Sequence, residues 1–228
     1  MNTTRTKSMD SHLIAALADG DESTRLRAAL AIGSLPSNGT RFANPEPGLV
    51  DTLVERCAIE PNFYVRDMLT WALTRLPPEI TVPRLLAELG SEHAQARSQA
   101  LHTLSKIKDA RAWPAITRSL LRDADDEVAR SAWRAAVILV PDGQEKDLAE
   151  ELAVQLGRGD KVVQLSLSRA LVALGEEVVG PAVQKAMASD DPGVRAHASA
   201  TEKLLRDPAA SSKAAVDEAK RTFALGKK

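Results

Sequence analysis

A short motif recurs six times along the chain, and this internal repeat constrains the fold more than any other feature. Each copy has a polar turn, an apolar residue followed by Arg, and then an Ala-rich segment. The copies read Asp21 to Arg27, Glu60 to Arg66, Ser91 to Arg97, Ala124 to Arg130, Arg158 to Gln164 and Ser189 to Arg195. With Arg27, Arg66, Arg97, Arg130, Gln164 and Arg195 as reference points, the steps are 39, 31, 33, 34 and 31. A period of roughly 33 residues has room for two helices and a turn, so the chain is expected to stack six helix pairs as an array.

The second helix of each pair is the clearer one. Apolar or small residues fall at −1, +2, +3, +6, +7 and +10 from the reference residue, for example Val65, Met68, Leu69, Ala72, Leu73 and Leu76. This is the stripe of a helix with one buried face. It places Leu69, Leu104, Val137 and Leu171 in the core, with Trp133 and a buried, hydrogen-bonded His197. First helices are expected over 12–18, 49–58, 82–89, 113–121, 148–156 and 180–187. Pro83, Pro114 and Pro181 stand near three of those starts. Residues 1–9 read as a flexible N-terminus and 10–206 as the array. Residues 36–47 read as an inserted loop, and 207–228 as a breaker followed by a capping helix over 213–225.

Composition supports an all-α chain. Aromatics are only 3%, which argues against a β-sandwich or barrel. A net charge of −1 gives no global field for nucleic acid or an anionic membrane. The single Cys57 excludes an intrachain disulfide framework and a Cys-rich zinc site. With no leader and no long apolar run, a cytoplasmic protein is expected. The sequence holds no P-loop, Gly-x-Ser-x-Gly or His-Glu-x-x-His motif, and no cofactor or metal is expected.

The acidic turn, the Val-Arg pair and the Ala-rich helix resemble HEAT repeats of the short bacterial kind. The ankyrin and tetratricopeptide signatures are missing. The stretch Phe63-Tyr64-Val65-Arg66-Asp67-Met68-Leu69-Thr70-Trp71 is similar to actinobacterial HEAT-repeat proteins. The resemblance implies a right-handed α-solenoid of about six HEAT-like helix pairs, with second helices lining a concave face. It also implies a ladder of ion pairs, here Asp21/Arg27, Glu60/Arg66, Asp125/Arg130 and Asp190/Arg195.

Positions +1, +4, +5 and +8 are then the candidates for contact. The middle of the array carries Asp67, Thr70, Trp71, His102, Arg134 and Arg169 there. Arg134 and Arg169 are expected to converge on one anion, with Trp71 at the apolar end and Asp67 beside it. This favours a non-enzymatic scaffold that binds a peptide, protein segment or small anionic ligand in its groove. One alternative is the HEAT-like alkylpurine DNA glycosylases, which hold a damaged nucleotide with concave Trp and Asp residues. The others are a phycobilin-lyase-like role and a regulatory domain that partners a transcription factor.

Overall fold

The computed structural model describes residues 11–34 and 48–207, and every regular element among them is helical. The inserted loop, the flexible N-terminus and the expected capping helix lie outside the described residues. In order the elements are α1 (11–16), α2 (Glu22–Gly33), α3 (Leu49–Ile59), α4 (Phe63–Thr74), α5 (Pro78–Glu88) and α6 (Ala94–Ile107). A 3-10 turn (Ala110–Ala115) precedes α7 (Arg118–Leu121), α8 (Asp126–Leu139), α9 (Glu145–Ala153), α10 (Lys161–Leu174), α11 (Glu176–Met187) and α12 (Pro192–Arg206).

The chain divides into two compact units, Met1–Leu139 and Val140–Lys228. In the first, α2, α4, α6 and α8 pack in succession, and α3, α5 and α7 each pack on the helix that follows them. In the second, α9 packs on α10, α11 on α12, and like helices pack on like. The architecture is therefore an all-α solenoid of helix pairs.

Two first helices begin earlier than their prolines suggested. Pro83 lies inside α5 and Pro181 inside α11, each removing one intrahelical hydrogen bond. The expected helix over 113–121 is broken. Pro114 sits within the 3-10 turn, and Thr117 then starts α7 by accepting from the Leu120 N–H.

The polar turns work as helix caps. Asp21, Asn62, Asp125, Asp160 and Asp191 each accept backbone N–H groups of the following turn, which those helix starts otherwise leave unpaired. The four expected pairs are not among the ion pairs of the described residues; the partners are exchanged, Arg25 pairing with Glu60, Arg97 with Asp123 and Arg130 with Glu127. The repeat Arg also binds carbonyls: Arg66 donates through Nη1 to the Glu60 and Pro61 oxygens at 2.8 Å each. Arg97 and Arg195 repeat this on the carbonyls six and five residues before them. In the first pair the residue that does so is Arg25, not Arg27, and it reaches Asp19 and Gly20. In the fifth, Gln164 donates to the Gly159 carbonyl.

The caps also give the true register. Counted from the cap, Arg25, Arg66, Arg97, Gln164 and Arg195 are all fourth, whereas Arg130 is fifth. Two corrections follow. Val137 is only half-buried, while Leu69, Leu104 and Leu171 are buried as expected. The stripe runs through the seventh and eighth positions, so the eighth faces a neighbouring helix: Ala29, Thr70, Leu101, Trp133 and Ser168 are all buried there.

His197 is buried and hydrogen-bonded, as expected. Its Nδ1 accepts from the Gly157 N–H at 2.9 Å, so the ring proton is on Nε2, which lies 2.9 Å from the Gln164 carbonyl. Ser168 Oγ stands 3.1 Å from Nε2 and 2.8 Å from Thr201 Oγ1. Burial holds the imidazole below its ordinary range, partly opposed by the Gln164 carbonyl. Unfolded chains thus take up a proton at higher pH than folded ones, and stability rises with pH across that window. Melting temperature should fall as pH drops from about 7 to 5. In His197→Gln this slope should flatten, leaving the share due to His102; an unchanged slope would refute the assignment.

Candidate functional site

Second helices in the first unit pack side by side, so equal positions counted from the cap fall into rows. The ninth position holds Leu30, Trp71, His102 and Arg134, all at least partly exposed. Asp67 is exposed one turn earlier on α4, and Phe63 one turn earlier again. Residues four apart share a helix face, so α4 displays Phe63, Asp67 and Trp71 together.

The middle of the row is directly connected. Arg134 Nη1 lies 3.2 Å from His102 Nδ1, which makes neutral His102 the acceptor. Burial is the main cause holding His102 below its ordinary range; Arg134 and Lys106 add to it, and Asp67 opposes them. Arg134 is itself held low by burial and by Arg130, with Glu127 opposing. Among the described residues no carboxylate forms an ion pair with Arg134. Its guanidinium is thus available to an external anion while its one side-chain partner is neutral.

Trp71 has two roles. Its indole edge packs on Gly33 of α2, where an added Cβ would come within 2.3 Å of Cε3 and Cζ3. The close approach therefore requires glycine at 33. The rest of the ring remains partly exposed. Thr70 departs from expectation: it is buried between α4 and α6, with Oγ1 3.4 Å from Thr103 Oγ1. Arg169 is exposed at the equivalent position of α10, in the second unit.

Two aromatic residues open α4. Phe63 and Tyr64 are 65% and 71% exposed and pack edge to face, with centroids 5.7 Å apart. Arg66 lies 6.0 Å from the Phe63 ring centre. Ile59, the last residue of α3, is also largely exposed. The sequence shows the aromatics clustering; that they precede the buried stripe is the sign that packing does not need them.

Cys57 offers no nucleophile. It is buried, and burial pushes its thiol up to about 12. In the second unit a groove of about 670 Å³ runs between α9 and α11, lined by Ala153, Val154, Leu156, Pro181, Ala182 and Ala186 among others. Sequence periodicity gave no sign of it, because it is formed by the outer faces of two first helices.

Residues 50–137 match the family model of HEAT repeats. That span covers nearly all of α3 through most of α8, and so includes Trp71, His102 and Arg134 but not Leu30 of α2. Among solved structures, two engineered proteins of the Northeast Structural Genomics Consortium are similar. One is 23% identical, covering 86% of this chain and 96% of its own, with a TM-score of 0.45. The other is 20% identical, covering 90% and 99%, with a TM-score of 0.48. The complex of CpcE and CpcF of phycocyanin lyase from Nostoc sp. PCC7120 is 22% identical over 83% of this chain and 74% of that one, with a TM-score of 0.47. No curated protein matches the chain. Among the described residues no helix is long and apolar enough to cross a membrane.

Proposed function

We propose that this chain is a non-enzymatic interaction module that holds a peptide or protein segment along α4, α6 and α8. Phe63, Tyr64 and Trp71 form the apolar end of the surface. Arg134, with neutral His102 beside it, receives an anionic group such as a carboxylate. The observation that carries this reading is the Arg134 guanidinium with His102 as its side-chain partner, in one row with partly exposed Trp71. Aromatic and Arg side chains supply most binding energy at protein interfaces. Asp67, which a glycosylase reading would need to hold a base, is exposed on the surface of α4 and not enclosed. Arg169, on the other unit, is not needed for this surface.

Peptides selected from a random display library on the wild-type protein provide the probe. Tight binders should carry Asp or Glu spaced from an aromatic or aliphatic residue. Trp71→Ala/Arg134→Ala should weaken a selected peptide by about tenfold or more, while Lys146→Ala on α9 leaves it unchanged. Equal affinity for the double variant would refute this surface.

A further inference from the structure

Among the described residues of the first unit, two ion pairs run from a repeat Arg to the turn of the next helix pair, and both have one design. Arg25 uses Nη1 on backbone carbonyls and turns Nε and Nη2 onto Glu60, at 2.8 and 3.0 Å. Arg97 does the same with Asp123, at 2.9 and 3.0 Å. In each case the acceptor stands two residues before the next cap and also accepts the cap N–H.

Arg66 has the same carbonyl bonds, but its rung differs. The residue two before the next cap is Ser91, whose Oγ accepts the His93 N–H at 3.2 Å. A serine hydroxyl is shorter than either carboxylate and carries no charge. Arg66 Nε is buried and has no hydrogen-bond partner among the described residues. Gln95 donates through Nε2 to the Cys57 and Glu60 carbonyls, and these bonds give the Arg66 Nε–H no acceptor. A second feature lies at the same place. Helices α2, α4, α8, α10 and α12 are capped by Asp or Asn, whereas α6 starts at His93, which makes no side-chain cap bond. The first turn of this 14-residue helix therefore has no side-chain cap, and its Gln95 shares the Glu60 carbonyl with Arg66.

We infer that the Arg66–Ser91 rung is an oxyanion site, where a phosphate group, free or esterified to Ser91 Oγ, takes the place that carboxylates hold in the neighbouring rungs. The guanidinium edge suits two parallel charge-assisted bonds to phosphate oxygens, and the start of α6 favours negative charge. For the ester, a serine kinase would supply the γ-phosphoryl group of a nucleoside triphosphate. The Oγ–P bond forms, the bond to the departing diphosphate breaks, and the hydroxyl proton passes to the kinase's base.

Thermal melting of the full chain tests the site, with inorganic phosphate as probe against chloride at equal ionic strength. Ser91→Asp, and phosphoserine installed at 91, should each raise the melting temperature by about 2–4 °C. The matched control is Ser189→Asp, whose rung faces Gln164 and not Arg, and it should gain nothing. Phosphate that stabilises wild type but not Ser91→Asp identifies a free oxyanion as the occupant. A rise only with phosphoserine or Ser91→Asp identifies the esterified form. No rise in any arm overturns the inference, as does an equal rise in an Arg66→Lys background or in Ser189→Asp.

Discussion

Glu60→Ala is expected to destabilise the protein by about 3–5 kcal/mol, because it breaks a buried charge cluster by removing its centre. Glu60 is fully buried and receives five hydrogen bonds. Arg25 gives two at 2.8 and 3.0 Å, Arg56 gives two at 2.9 and 2.6 Å, and the Asn62 N–H gives one at 3.0 Å. Burial alone would push the carboxyl up; Arg25, the Asn62 N–H and Arg56 outweigh it and bring it down to about 2. Removing the carboxylate leaves the nearly buried Arg25 side chain with its carbonyl bonds but no counter-charge. Glu60→Gln keeps the volume and should cost less. Because the folded value is depressed, the stabilisation is complete above the unfolded value of about 4.5 and is lost as pH falls from there toward 2. Urea unfolding at pH 7 and at pH 3.5 measures both effects. A Glu60→Ala midpoint equal to wild type would show that the triad holds nothing together.

The same triad shows where sequence reading stops. The period and the helix pairs are legible because both follow from local apolar spacing. Whether Arg25 or Arg27 is the repeat Arg depends on the carbonyls at Asp19 and Gly20 and on Glu60, which is 35 residues away. Sequence spacing does not report that pairing. The cost of misreading register is large, since one residue turns a helical side chain by about 100°. Arg130 is one position late, so Arg134 shares a row with Trp71 and His102 and not with Thr70. The spacing put Asp67, Trp71, His102 and Arg134 outside the buried stripe, and the structure leaves each at least partly exposed. The burial of Thr70 and the seat of Trp71 on Gly33 were not legible, because both are set by which face of one helix meets the next.

Trp133→Ala is expected to cost about 3–5 kcal/mol, and its effect should centre on the weakest helix pair of the first unit. The ring is fully buried, and Nε1 donates to the Leu121 carbonyl at 2.8 Å. Leu121 is the last residue of α7, which spans only Arg118–Leu121 behind the 3-10 turn that Pro114 interrupts. Helix ends leave carbonyls without an intrahelical partner, and here the indole supplies one. A full-length first helix would contribute several turns of its own packing. This pair lacks them, so one large side chain on α8 fills the space and ties down the backbone. Trp133→Ala opens a cavity and orphans that carbonyl together, whereas Trp133→Phe keeps most of the volume and should lose only about 1–3 kcal/mol for the missing bond. In a chain of this size the Ala variant should melt roughly 6–20 °C lower. Amide hydrogen exchange should accelerate first at 110–122, before α4 or α6 are affected. Uniform acceleration across the first unit would mean that Trp133 acts as ordinary core filling, and a shift below about 2 °C would mean that α7 is held by something else.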